Sequence, residues 1–483
     1  MVAPAAAVHG HRMTTTPTAP AAVRGRERLV LAVLLTASFT LAVDFSILNV
    51  ALPVIGAEVG FALSGLQWIA TSFALCAAGF TLLFGRVADI AGRRRVFLAG
   101  VALLGVSSLA GGLAADPVVL VAARVAQGLA TAAVTPAALA LLTTSFPDGP
   151  RRERALGLNG ALMAAGFTTG AILGGLLTDL LTWRWAFFVN VAVAVGVLAV
   201  APLVLAESRP ARRPRLDVPG AVTVTAGLLA VVFGLTSAGE HAWADWRAWG
   251  GLLAGAVLLA AFLLIESRVA APLVPVRILR RRTVAWGNLA GVLAFATETS
   301  LVFVLTIYLQ EVFGLSPLAA GLSFAVLGLG TVLGGVLGPR LIARLGDPAR
   351  AVALGLTVQA AATLLLMLLG ASRDGLPLLL IATFVGGVAN LVAIVGFMVT
   401  ATSGLPDGEQ GLAAGLATMS QQIGITLGIP VMSAVLGAAA GDAATLRTAI
   451  AVNAALCLIT AVAVWLTLVR PGRARAVVSD RVG

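Results

Sequence analysis

The sequence predicts an all-α integral membrane protein of about fourteen transmembrane helices, built as two six-helix halves with two further helices inserted between them. Three observations carry this expectation. The 483 residues are 59% hydrophobic and only 11% charged, and the mean hydropathy of +1.01 is far above what a water-soluble core requires. The apolar residues gather into windows of the ~20 residues that a helix needs to cross a bilayer. The arginines fall in short clusters between those windows, mostly in every second loop and so on one side.

In chain order, the first half holds windows 31–55, 66–84, 96–115, 118–142, 155–180 and 185–206. The first of these is too long for a signal-peptide core and has no convincing cleavage site, so it is read as a retained span. The second and third are parted by the charged stretch GRVADIAGRRRVF (85–97), and the fifth follows Arg151, Arg152 and Arg154. Then comes the Arg-rich, Pro-punctuated linker ESRPARRPRLDVPG (207–220), which introduces an inserted pair at 219–238 and 250–266. The second half runs through 284–309, 318–338, 351–371, 376–401, 412–438 and 448–469. This divides the chain into a disordered cytoplasmic tail (1–28), an N-terminal bundle (29–206), the linker with its inserted pair (207–283), a C-terminal bundle (284–470) and a cytoplasmic tail (471–483).

Every basic side chain is Arg, since none of the 32 Lys+Arg residues is Lys. With the N-terminus inside, 27 arginines fall on the cytoplasmic side, four (Arg184, Arg247, Arg373 and Arg447) fall outside, and Arg124 lies within a span. That bias predicts both termini in the cytoplasm. It also explains the pI near 11.5 without a nucleic-acid partner, because the charge sits in loops between apolar runs. Cys76 and Cys457 lie inside apolar runs and suggest neither a disulfide nor a thiolate site. His9, His11 and His241 lie in a tail and a loop, so no metal is expected. There is no Walker A sequence, no His-based metal motif and no GxSxG elbow, so the chain is not expected to be an enzyme or to burn ATP.

Two coincidences of spacing support a duplicated bundle. Asp44 follows Arg28 by sixteen residues in the first span, and Glu298 follows Arg282 by sixteen in the first span of the second half. The fifth span carries Gly166, Gly170, Gly174 and Gly175, and its counterpart carries Gly411, Gly415, Gly424 and Gly428. Such small-residue stripes let two helices approach closely.

Asp44, Arg124 and Glu298 are the charges placed deep in apolar spans. Burying one charge at the bilayer centre costs ~2.5–3.5 kcal/mol, so each needs a cavity or a counter-charge. Two readings stand for Asp44: a structural ion pair with Arg124, or a carboxyl that trades a proton when the pair separates. Glu298 has no obvious basic partner and is the better candidate for a group that is neutral when buried. Trp68, Trp183, Trp185, Trp243, Trp246 and Trp249 lie near outer ends, as an aromatic belt does. Asn49, Trp68, Phe73 and Gln127 are candidates for a substrate cavity, and Gln310, Asn390, Gln421 and Gln422 are further polar groups in or near spans.

These features resemble the major facilitator superfamily, in particular its fourteen-helix drug:proton antiporters. Gly85, Asp89, Gly92, Arg93, Arg94 and Arg95 match the family's loop motif between the second and third helices. The resemblance implies a charge network there, with Asp89 and Arg93 as members, that helps latch the cytoplasmic side. VDFSILNVALP (43–53) resembles the first-helix motif, placing Asp44 at a position associated with proton coupling. LVAARVAQGLATAA (120–133) resembles the fourth-helix motif, making Arg124 the arginine associated with proton transfer, and WRWAFFVN (183–190) resembles the start of the sixth helix. Two places depart from the pattern. GFTTGAILGG (166–175) has Ala171 where the antiporter motif has proline, and GPRLIARLGD (338–347) only faintly echoes the loop motif, with no acid at the place of Asp89.

The expectation is a secondary transporter of the inner or plasma membrane that exports a hydrophobic or cationic small molecule in exchange for protons. It would work as a monomer by alternating access, with Asp44 and Glu298 titrating and Arg124 modulating Asp44. Its energy source is the proton gradient, with no bound cofactor. Two alternatives stay open: a proton-independent facilitator of the same fold, and a receptor or scaffold that moves nothing.

Overall fold

The computed structural model describes residues 21–61, 65–146, 150–208, 217–241, 243–269, 272, 276–370, 372–403, 407–437 and 443–470. The predicted terminal tails lie largely outside these residues, as does most of the linker at 209–216. No strand occurs among the described residues.

In the first half the helices are α1 (Ala21–Ile47), a short α2 (Leu52–Val59), α3 (Gln67–Ala91), α4 (Arg93–Gly112), α5 (Pro117–Ser145), α6 (Pro150–Leu180) and α7 (Trp185–Val204). The inserted pair is α8 (Val218–His241) and α9 (Trp246–Glu266). After a short α10 (Val276–Leu279), the second half comprises α11 (Arg282–Ile307), α12 (Pro317–Leu345), α13 (Pro348–Leu365), α14 (Leu376–Thr402), α15 (Asp407–Leu436) and α16 (Ala443–Val464). Fourteen of these helices have eighteen residues or more, and they occupy the fourteen predicted windows. Twelve spans pass as membrane-crossing on length and composition, and α3 makes a thirteenth when Gln67–Thr81 and Leu83–Ala91, bent by 52°, count as one. The remaining long helix, α6, begins with the polar run PRRER and reaches 31 residues.

Local chemistry sets where several spans begin. Asp116, Ser316 and Asp347 each accept a backbone N–H of the following first turn, and each is followed by a proline whose missing N–H costs nothing there. Between α3 and α4 the chain turns at Gly92, whose φ of 114° lies in the region that favours glycine. The apolar outer surface, with Leu203 82% and Val118 76% exposed, is what a helix bundle presents to lipid.

The two halves repeat one packing scheme. In the first, α1 lies along α6, α5 between α3 and α4, and α4 along α7; in the second, α11 lies along α15, α14 between α12 and α13, and α13 along α16. The glycine stripes make the α1–α6 and α11–α15 contacts. A Cβ added at Gly166 would meet Phe39 O at 2.9 Å, and one at Gly170 or Gly174 would run into Ser46 Oγ or Ile47 O. Gly424 and Gly428 face the α11 backbone at Val292 and Ala296 in the same way, whereas Gly415 has nothing within 4 Å. Gly174→Val is therefore expected to destabilise the protein by about 1–3 kcal/mol. Thermal unfolding of the purified protein should show the loss, with Gly415→Ala unchanged as the control.

The hydrophobic cores reveal how the halves meet. At the arginine-poor end one continuous core joins Ile47 and Trp183 of the first half to Tyr308 and Phe324 of the second. At the arginine-rich end the cores are separate, one around Phe97 and Leu141 and another around Leu356 and Phe397. The inserted pair bridges the halves on one side, where Leu228 of α8 shares a cluster with Leu75 of α3 and Leu416 of α15.

One aromatic assignment is corrected here. Trp185, Trp243, Trp246 and Trp249 are exposed as a belt requires, but Trp183 is fully buried. Its Nε1 donates to Glu58 Oε2 at 2.7 Å, and Arg184 lies 4.3 Å from its ring. A position at a helix end does not tell whether an indole faces lipid or protein.

Candidate functional site

Asp44 sits at the centre of a polar knot in the first half, and both it and Arg124 are 1% exposed. Arg124 Nη1 donates to Asp44 Oδ2 at 3.2 Å, and Gln127 Nε2 donates to Asp44 Oδ1, also at 3.2 Å. Asn190 of α7 gives Oδ1 a further, short hydrogen bond. Arg124 is itself held by Ile69 O at 2.9 Å and Gln127 Oε1 at 2.9 Å, while Gln127 reaches Ser108 Oγ of α4 at 2.8 Å. Every partner of Asp44 is a donor, which suits the carboxylate form. Arg124 and Gln127 fall on one face of α5 because three residues make most of a turn. Asn190 and Ser108 were not singled out from the sequence, since neutral polar residues in a span carry no comparable penalty to advertise them.

The second half repeats this knot without charge. Asn390 of α14 donates to Gln359 Oε1 of α13 at 3.2 Å, and Gln359 Nε2 donates to Thr297 Oγ1 of α11 at 3.3 Å. Asn453 of α16 donates to Thr297 O at 2.8 Å and Ser300 Oγ at 2.9 Å. Thr297 thus stands where the packing scheme puts Asp44. Glu298, its neighbour, is rotated by about 100° around the helix, as one residue requires.

Glu298 consequently faces elsewhere. It lines a cavity of about 290 Å³ between the halves, in company with Phe45, Phe73, Phe167, Phe295, Met163 and Met398. Among the described residues it is the single charged side chain on that wall. It also borders a void of about 20 Å³, enough for one water. The lining of that void includes Thr363 and Asn390, each with a buried oxygen that lacks a protein partner. Of the predicted cavity residues, Asn49 and Phe73 line the chamber. Gln127 lies in the knot instead, and Trp68 is not on the wall. Asp44 is not on the wall either; Phe73 stands between, lining the cavity and stacking 4.2 Å from the Arg124 guanidinium carbon. Of the two acids expected to titrate, Glu298 alone lines the chamber.

The loop motif folds back on its own half. Asp89 Oδ1 accepts from Arg93 Nε at 3.0 Å and Nη2 at 2.9 Å. Arg93 N–H reaches Ser208 O at 3.2 Å, Arg94 N–H reaches Glu207 Oε1 at 3.1 Å, and Arg94 Nη2 reaches Pro202 O at 2.6 Å. Gly92 leaves room for Glu207, whose carboxyl oxygens would lie 2.7 and 2.8 Å from a Cβ there. Gly85 lies 3.6 Å from Pro136 of α5 by the same measure. The segment after α7 thus joins the charge network of the loop motif, a contact the sequence alone did not assign to Glu207.

At the arginine-poor end the halves are tied across. Gln310 Nε2 donates to Val50 O at 2.7 Å and Leu318 N–H donates to Asp179 Oδ2 at 3.1 Å, while at cavity depth Thr426 Oγ1 donates to Ala74 O at 2.9 Å. Gly175 permits α6 to approach Pro317 of α12. Beside this seam, burial would push the Glu58 carboxyl up, but hydrogen bonds from Trp183 and Arg184 and the charge of Arg184 hold it below the usual carboxylate range.

A bundle of paired six-helix repeats around a midplane cavity, closed at one end and split at the other, defines a multi-pass membrane transporter. The chain belongs to the Major Facilitator Superfamily, whose profile matches residues 34–429 and 287–482. It is 40% identical to the cephamycin export protein of Amycolatopsis lactamdurans over 83% of each chain. It is 35% identical to the puromycin resistance protein of Streptomyces alboniger over 91% of this chain and 90% of that one. With the lincomycin resistance protein of Streptomyces lincolnensis it shares 36% identity over 87% of each. Among solved structures, the POT family transporter PepTSo superposes with a TM-score of 0.68 at 14% identity, covering 92% of this chain and 97% of that one. The human organic anion transporter MFSD10 gives 0.57 at 17% identity, over 91% and 99%. These two likenesses concern the fold.

Proposed function

We propose that the chain exports hydrophobic or cationic small molecules across the plasma membrane in exchange for protons, as a monomer with both termini in the cytoplasm. The observation that carries this reading is Glu298, among the described residues the one charged group on the wall of a mainly apolar, aromatic-rich chamber. One carboxyl there serves either a proton or a positively charged guest, and exclusive occupancy is what exchange requires. The apolar rings supply adaptable contact area, in keeping with relatives named for export of, or resistance to, chemically unlike antibiotics. The arginine-rich end is assigned to the cytoplasm, so the conformation is inward-facing. Asp44, sealed behind Phe73 with its charge matched, would take up a proton only when rocking separates it from Arg124, and would release it as the pair re-forms. The proton gradient supplies the energy, and no cofactor enters the scheme.

Inverted membrane vesicles test it. Uptake of puromycin or lincomycin is expected to rise severalfold when the vesicle interior is made acid, and to collapse when the gradient is dissipated. Equal uptake with and without the gradient would remove exchange with protons and leave a facilitator.

A further inference from the structure

The second-half loop sequence GPRLIARLGD lacks the acid that pairs with arginine in the first half, and its two arginines are left for something else. Arg340 and Arg344 are exposed on α12, one turn apart, and neither makes an ion pair among the described residues. The nearest acid in sequence, Asp347, is already committed, capping Ala349 N–H at 2.9 Å and lying 3.8 Å from Arg350. Both free arginines border a lateral groove of about 480 Å³. The groove exists because α12 and α13 each pack along α14 but scarcely touch one another. Its remaining lining is apolar, with Leu333 and Leu337 on α12, Val358 on α13 and Val388 on α14, and no acid contributes.

We propose that this groove binds one anionic phospholipid, with an acyl chain along the apolar channel and the phosphate held by Arg340 and Arg344. Length and charge both fit. Leu333 to Arg344 rises ~16 Å along the helix, about half of a ~30 Å hydrocarbon core, so the leucines sit at chain depth and the arginines at headgroup depth of one leaflet. Two guanidinium forks with no competing carboxylate match a phosphodiester, whereas a zwitterionic lipid brings its own cation to the same place.

The test uses the full-length protein in mild detergent, incubated with equal amounts of dioleoylphosphatidylglycerol and dioleoylphosphatidylcholine, with bound lipid counted by native mass spectrometry. Wild type is expected to retain the glycerol lipid over the choline lipid by about tenfold. Arg340→Gln/Arg344→Gln should abolish that preference, and Val358→Trp, which fills the groove but keeps both arginines, should lower retention of the lipid. Arg280→Gln/Arg282→Gln, which removes two arginines at the same end outside the groove, should behave as wild type. The proposal is overturned if the two double variants lose the preference equally, if Val358→Trp retains lipid unchanged, or if excess inorganic phosphate displaces the lipid, which would reduce the site to an anion site.

Discussion

Arg124→Ala is expected to abolish transport and to cost about 3–5 kcal/mol of stability, because it strands Asp44 as an uncompensated charge with 1% exposure. The loss exceeds that of an ordinary ion pair, since Arg124 also donates to Ile69 O and stacks on Phe73 at the cavity wall. The neutral knot of the second half indicates how to separate structure from coupling. There Thr297, Gln359, Asn390 and Asn453 hold the corresponding helices together without a charge. The double change Asp44→Asn/Arg124→Gln should accordingly regain most of the stability while gradient-driven transport stays lost. Thermal unfolding and vesicle uptake measured on the same preparations would show it. If the double variant transports like wild type, the charged knot is purely structural.

Glu298→Gln is expected to cut gradient-driven uptake by at least about tenfold, equivalent to about 1.4 kcal/mol, while leaving counterflow of substrate between equal pH values intact. The glutamine keeps the shape and polarity of the side chain but can neither take up nor release a proton. The sign of the pH effect follows from competition. In wild type a cationic substrate should bind more weakly as pH falls and the carboxyl is occupied by a proton, and in Glu298→Gln binding should no longer depend on pH. Among the described residues no other acid, base or histidine lines the cavity or the adjoining void, so a persisting pH dependence would have to come from outside that lining. Titration of tracer binding to both proteins distinguishes the cases.

Both predictions rest on residues that differed in how readily they could be read. Asp44 and Arg124 were legible because a charge in an apolar span must find its opposite, and only one opposite was on offer in that half. The spans themselves were legible for a related reason, since lipid tolerates only long apolar helices. The direction in which Glu298 points was not. Its equal spacing from a loop arginine suggested equivalence with Asp44, yet a slip of one residue turns a side chain by about 100° and moves it from the knot to the cavity. Asn190, Ser108 and Glu207 escaped notice because their partners are distant in sequence and their types are common. Gln127 was misplaced for the converse reason: polarity within a span announces a partner without saying whether it is protein or guest.

The clasp of α8 on α3 and α15 has a mechanical consequence. Because it grips one helix from each half, the pair would act as a spine in the proposed rocking, the halves opening like the covers of a book rather than sliding apart as free plates. On the opposite edge α6 and α12 meet through Gly175 and Gly321 towards the arginine-poor end and through Gly328 at cavity depth, so in that motion this fore-edge would sweep the longer arc. On the proposed function, a bulky molecule leaving the inner leaflet would find its widest doorway there, beyond reach of the spine.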